Sequence, residues 1–279
     1  MPAAPHILTP AELQAFHDDG YVTVRGAFPR ADALAMQDAW WAELAHVHGV
    51  HRHDRATWRP VAADLRRAKR DPIQQRLLTP RVAGVIDALL GAGTWRPPRD
   101  WGRVLSTFPE PGAQDRPWEI PTFLWHWDSP AAWHLDSLEG LFVVSFIGEV
   151  APRGGGTLIL AGSPRLVLRQ EAGLTPAQRA LPYAARRRLF YDLDPWLGVL
   201  TGASGLTPEK RTARLEAGAV IDGVPVRVVE LTGEPGDMVF CHPCIVHCAS
   251  PNLGDRPRFM RIRQQLMTER GRLRLSGAA

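Results

Sequence analysis

Apolar residues in the first hundred positions recur at helical spacing, whereas later ones alternate over short runs. Leu-Thr-Pro at 8–10 and again at 78–80 precedes a helix-like run, with threonine placed to cap and proline placed in the first turn. Thr9 and Glu12 match a capping box, and Leu8 can staple onto Leu13. The first helix is predicted to stop at Asp19-Gly20, before a strand over Tyr21–Val24. A second helix places Met36, Trp40, Leu44 and Val47 on one face and stops at Gly49. A third is predicted over 80–90, closed by Gly91.

From about residue 101 the period shortens to two. Strands are predicted over Arg103–Phe108, Thr122–Asp128, Leu141–Ile147, Thr157–Leu160, Val226–Leu231, Met238–Cys241 and Phe259–Met267, separated by Gly and Pro. Many short strands with such turns point to an all-β barrel or sandwich. Residues 165–220 interrupt them with helix-like, Gly-rich sequence, including further Leu-Thr-Pro starts at 174–176 and 206–208, and are expected to cover a pocket. The predicted organisation is a single domain over 1–279, with a helical flank at 1–100 and a β core at 101–270 that carries this insertion.

Composition narrows the function. Hydrophobic content of 45% and 22% charged residues are ordinary for a globular enzyme. The net charge is +4, and almost all of the positive charge is arginine, since Lys69 and Lys210 are the only lysines. Basic runs at 66–70 and 186–188 fall in helix-like segments and read as solvated faces, so no nucleic-acid partner is expected. No apolar run reaches the length of a membrane span, and the first residues lack the pattern of a secretory signal. A cytoplasmic protein without a membrane partner is expected, and nothing in the sequence sets an oligomeric state. Cys241, Cys244 and Cys248 lie in one short segment and do not make a disulfide framework. With His242 and His247 they suggest a zinc site, but adjacent strand residues point apart, so buried free thiols are expected instead.

The chemistry lies in a few polar residues. His126-Trp127-Asp128 puts a histidine and a carboxylate two apart, hence on one face of a strand, with Trp125 and Trp127 on the other. Two histidines and one carboxylate make the facial triad of non-haem Fe(II), which leaves open positions for a cosubstrate and O₂. His134-Leu135-Asp136 repeats the spacing, but in loop-like sequence, whereas His126 ends an apolar aromatic run. The third ligand has two candidates, His242 and His247. Arg258 alternates with Met260 and Ile262, which places a guanidinium on an apolar inward face and calls for a carboxylate there. That carboxylate is either a cosubstrate's or an internal Asp or Glu, and Arg256 is the fallback anchor.

Taken in order, the Leu-Thr-Pro helix, Asp19-Gly20-Tyr21, Trp125-His126-x-Asp128, Gly155-Gly156-Thr157-Leu158 with Gly162-Ser163, Pro235-Gly236-Asp237, His247 and Arg258 resemble the phytanoyl-CoA dioxygenase-like family over about residues 8–265. The resemblance implies a mainly β fold with flanking helices around a double-stranded β-helix, the jelly-roll or cupin-like core. It also implies an Fe(II)- and 2-oxoglutarate-dependent dioxygenase. In that family the Trp-His-x-Asp pair lies about a dozen residues before the strand that begins here at Leu141, and the distal histidine precedes the cosubstrate arginine by eleven. This selects His126, Asp128 and His247 as iron ligands and Arg258 as the 2-oxoglutarate anchor, with Thr157 a further cosubstrate contact. The sequence departs from the family at Pro164, where a histidine is usual, and at Ala249, where a serine is usual. The implied reaction uses O₂ and 2-oxoglutarate to hydroxylate a C–H bond of a small-molecule substrate, releasing succinate and CO₂. Desaturation, epimerisation and ring closure belong to the same chemistry, while the presence of Asp128 argues against halogenation. A cupin-like metal hydrolase or isomerase, or a non-catalytic metal-binding module, would use the same ligands but has no need of Arg258.

Overall fold

The computed structural model describes residues 7–61, 65–109, 112, 115–128 and 137–275. All four Leu-Thr-Pro sites begin a helix: the hydroxyls of Thr9, Thr79, Thr175 and Thr207 accept from the backbone N–H of Glu12, Val82, Gln178 and Lys210. The helices are α1 (Pro10–Asp19), α2 (Arg30–His48), α3 (Arg66–Arg70), α4 (Pro80–Leu90), α5 (Ser163–Gly173), α6 (Pro176–Arg179), α7 (Tyr183–Tyr191), α8 (Pro195–Leu200), α9 (Pro208–Ala217) and α10 (Glu269–Leu275). Helix α2 buries Met36, Trp40 and Leu44 completely. Each such side chain contributes roughly 1.5–3 kcal/mol. Val47, expected on the same face, is 52% exposed. Left-handed Gly49 turns the chain there, Val50 N–H closes onto Leu44 O at 3.1 Å, and Val50 takes the buried place instead.

Among the described residues nine strands form two antiparallel sheets. They are β1 (Tyr21–Val24), β2 (Arg103–Thr107), β3 (Gly140–Phe146), β4 (Thr157–Ala161), β5 (Ala219–Ile221), β6 (Val224–Glu230), β7 (Met238–Cys241), β8 (Val246–Ala249) and β9 (Arg258–Met267). The larger sheet runs β1-β7-β3-β9-β2 and the smaller β5-β6-β4-β8. Alternation along the strands divides the core into three layers. Phe142, Val144, Phe146, Ile159, Val239, Met260 and Ile262 fill the space between the sheets. The outer face of the larger sheet packs Val22, Val143, Phe240 and Phe259 against α1, α2 and α4. The outer face of the smaller sheet packs Leu158, Leu160, Val226 and Val246 against Phe190, Trp196 and Leu215 of the 165–220 segment. This is the double-stranded β-helix with flanking helices.

Some expectations need correction. Thr122–Asp128 is not a strand: Pro121 lacks a donor, Leu124 has φ +63°, and only His126 makes a bridge. Strands β5 and β8 were not anticipated. Cys241, Cys244 and Cys248 are buried thiols outside any disulfide, as expected. No helix among the described residues is long and apolar enough to cross a membrane. His134 and Asp136 lie outside the described residues.

Candidate metal centre

His126 and His247 meet as a single hydrogen-bonded antiparallel pair on the edge of the smaller sheet. His126 N–H donates to His247 O at 3.0 Å, and His247 N–H donates back at 2.7 Å. Directly opposed residues share a face, so the two imidazoles lie side by side with ring centroids 4.3 Å apart. Asp128, two residues on, joins them. One of its carboxylate oxygens is 3.7 Å from His126 Nε2 and the other 3.5 Å from His247 Nε2. One ligand atom from each of the three residues lies within 4.8 Å of the others. Arg256, the fallback anchor, is instead exposed and paired with Glu149 at 2.6 Å. His242 is not part of the cluster either: its Nδ1 accepts from Cys244 N–H at 3.0 Å in the turn after β7, and burial lowers its pKa to about 4.

The orientation of the two imidazoles follows from their partners. His126 Nδ1 lies 2.6 Å from Leu124 O, and His247 Nδ1 lies 3.1 Å from Ile245 O. A carbonyl only accepts, so each Nδ1 carries the hydrogen and each Nε2 lone pair is left for the space beside Asp128. Burial pushes His247 well below the ordinary imidazole value, to about 4, against the opposing pull of Asp128. A neutral imidazole is the ligating form. Phe142 stacks on the His247 ring at 4.7 Å, fixing its plane.

Three elements hold this cluster, two of which the sequence reading missed. First, β9 bulges: Leu141 pairs with Leu266 but Val143 pairs with Arg263, so β9 carries one residue more than β3 between those pairs. The bulge aims Gln264 at the Asp128 carboxylate, 3.2 Å away, and Gln265 at its carbonyl, 3.5 Å away. Second, Tyr183, Arg187 and Tyr191 occupy one face of α7 at a spacing of four. Tyr191 Oη donates to Trp125 O at 2.8 Å, Arg187 to the same carbonyl at 3.2 Å, and Tyr183 Oη to Trp127 O. The 183-187-191 spacing was visible, but not what it would face. Third, Trp127 turns outward against Tyr183 and Phe190, as its alternation with His126 requires.

Arg258 opens β9 on the inner face and is 4% exposed. It donates to Gly155 O and, at 2.7 Å, to Thr107 Oγ1, while its Nε is buried without a partner among the described residues. No carboxylate of the described residues lies within ion-pair distance, and burial lowers its pKa to about 10 despite the nearby Glu230. Gly155 can present its carbonyl because it sits at φ +83°, where a Cβ would press within 2.9 Å of Asn252. Thr157 is buried on β4, two residues before Ile159, which faces His247 across the ladder. Thr157 therefore shares the inner face with His247 and lies opposite Ala249.

Solved structures share this fold. The non-haem α-ketoglutarate-dependent carbocyclase SnoK from nogalamycin biosynthesis is 16% identical with a TM-score of 0.52, the match covering 94% of this chain and 85% of that one. EvdMO1 is 18% identical with a TM-score of 0.52, over 90% of this chain and 48% of that one. No protein-family model matches the sequence. No curated protein matches it either.

Proposed function

We propose that the chain is a non-haem Fe(II)- and 2-oxoglutarate-dependent dioxygenase that hydroxylates a C–H bond of a small molecule, with release of succinate and CO₂. The convergence of two imidazole Nε2 atoms and one carboxylate on a single face carries this reading. The donor set suits Fe(II). His126, Asp128 and His247 would hold it, and the backbone carbonyls behind both histidines orient them toward it. Bound there with 2-oxoglutarate, Fe(II) supplies O₂ activation coupled to oxidative decarboxylation of the cosubstrate. Arg258 would pair with the far carboxylate of 2-oxoglutarate; Gly155 and Thr107 already fix its guanidinium, and Nε stands unpaired. Thr157 adds a hydroxyl on the same inner face. The SnoK fold hosts α-ketoglutarate chemistry in that protein, which supports the same use of the fold here.

The test is an anaerobic titration of Fe(II) and 2-oxoglutarate, reading the visible charge-transfer band of the chelated metal. Wild type and His134→Ala should develop the band, His126→Ala should lack it, and Arg258→Ala should need far more 2-oxoglutarate. Metal binding by wild type without any band would overturn the proposal.

A further inference from the structure

A cavity of about 430 Å³ adjoins Asp128, and the three arginines that line it belong to none of the roles above. Three guanidiniums line it, those of Arg103, Arg263 and Arg272, together with Gln264 and Gln265. Register fixes where Arg103 points. It lies opposite Ile262 as Leu105 lies opposite Met260 and Thr107 opposite Arg258, so it belongs to the inner face at the Asp128 end. Arg263, opposite Val143, leaves β9 on the outer face at the same end; it is half-buried, and its Nε has no hydrogen-bond partner among the described residues. Burial lowers the Arg263 pKa, and Arg272 adds like charge in the same direction against the pull of Asp100.

None of the three arginines has an ion pair among the described residues; Asp128 is the acid in the cavity wall, and the other acids nearby are committed elsewhere. Asp100 pairs with Arg261 at 2.8 Å and Lys69 at 3.4 Å; Glu139 pairs with Arg270 at 3.5 Å; Glu269 pairs with Arg96 at 2.5 Å. Solvated arginines on an outer helix face would need no counter-charge. These three line one concave site, two of them exposed and one half-buried, and like charges gathered at one site repel until an anion offsets them.

We infer that this cavity binds an anionic substituent of the substrate, a carboxylate or a phosphate. Its volume suits one end of a small molecule. The planar guanidinium forks and the amides of Gln264 and Gln265 offer the donors such a group takes. Because Asp128 forms part of the wall, an anchored anion would hold the rest of the substrate beside the metal centre. The inference rests on the oxygenase reading for the word substrate, while the anion site itself does not depend on it.

The experiment uses protein loaded anaerobically with Fe(II) and 2-oxoglutarate. Inorganic phosphate, benzoate and neutral benzamide are titrated by calorimetry, with the charge-transfer band followed in parallel. Wild type should bind benzoate or phosphate saturably, the stronger of the two identifying the substituent, and should ignore benzamide. Arg103→Gln/Arg272→Gln, at two exposed positions, and Arg263→Gln should each weaken that binding roughly tenfold or more. Arg188→Gln, in the cavity on the His126 side, should change nothing. Anion binding equal in wild type and these variants, or absent while the band is present, overturns the inference. Loss of the band in Arg103→Gln/Arg272→Gln would assign the arginines to 2-oxoglutarate and overturn it too. Arginine-dependent anion binding without any band in wild type would uphold the anion site and refute the oxygenase reading alone.

Discussion

Arg258 and Arg261 leave β9 on opposite faces, and both are withdrawn from water. Arg261 is fully satisfied at its tip: it donates to Gln74 Oε1 at 2.7 Å, to Asp100 at 2.8 Å and to Gly102 O at 2.8 Å. Arg258 has a carbonyl and a hydroxyl but no carboxylate among the described residues. The same residue type is thus structural on one face and open to a ligand on the other. Arg261→Met should lower unfolding stability in urea by about 3 kcal/mol, because Asp100 and Gln74 lose their shared partner. Arg258→Gln should cost far less stability but weaken 2-oxoglutarate binding by roughly a hundredfold, read from the charge-transfer titration. Equal loss of stability in the two variants would contradict this division. Period-two alternation was enough to place Arg258 inward with Met260 and Ile262. It did not show that Arg261 would be equally buried, because its partners Gln74 and Asp100 come from remote segments. Nor did it show Gln264 and Gln265 at Asp128, because one extra residue in β9 breaks the alternation there.

At the scale of elements, caps and turns were more legible than pairings. Threonine, proline and glycine act on their own neighbours, so all four Leu-Thr-Pro starts and the stops at Gly20, Gly49 and Gly91 could be read locally. The Asp222-Gly223 turn joining β5 to β6, with φ of +47° and +71°, carried an equally local signal that went unused. Thr122–Asp128 misled because its aromatic alternation is real, but it serves packing of Trp125 and Trp127 under α7 and not a ladder. That packing makes α7 a positioning element. Tyr191→Phe removes a hydroxyl from Trp125 O and should weaken Fe(II) binding about tenfold, measured by titration, with little change in melting temperature. The turn before β7 yields a pH prediction. Asp237 is buried, which alone would raise its pKa. Its bonds from Arg25, Glu234 N–H and Gly26 N–H outweigh that and hold it below the ordinary aspartate value. A folded value below the unfolded one means stability that is present above the unfolded pKa and lost as pH falls through the folded one. Asp237→Asn should therefore cost about 2 kcal/mol at neutral pH. The gap from wild type should close in acid; a pH-independent gap would rule out this linkage.

For the whole molecule, the candidate ligands matter because they come from parts that otherwise meet only through packing. His247 belongs to the smaller sheet, Asp128 is held by the bulge of the larger sheet, and the His126 segment is held by α7. A metal bound by all three would cross-link both sheets and the 165–220 segment in the native state, while the unfolded chain has no such site. Binding to the folded state alone stabilises it by about 2.7 kcal/mol when free metal is a hundred times its dissociation constant. For a chain of this size that corresponds to a rise in melting temperature of roughly 5 °C or more. Mn(II) or Ni(II) can stand in for Fe(II), since neither requires anaerobic handling and both accept imidazole and carboxylate ligands. We expect the rise in wild type, its reversal by EDTA, and its absence in Asp128→Ala. Asp128→Ala should also leave the metal-free melting temperature nearly unchanged, because among the described residues the carboxylate's hydrogen bond is the one from the Gln264 amide. A metal-induced rise that survives Asp128→Ala would place the bound ion elsewhere in the molecule and remove the physical basis for the triad.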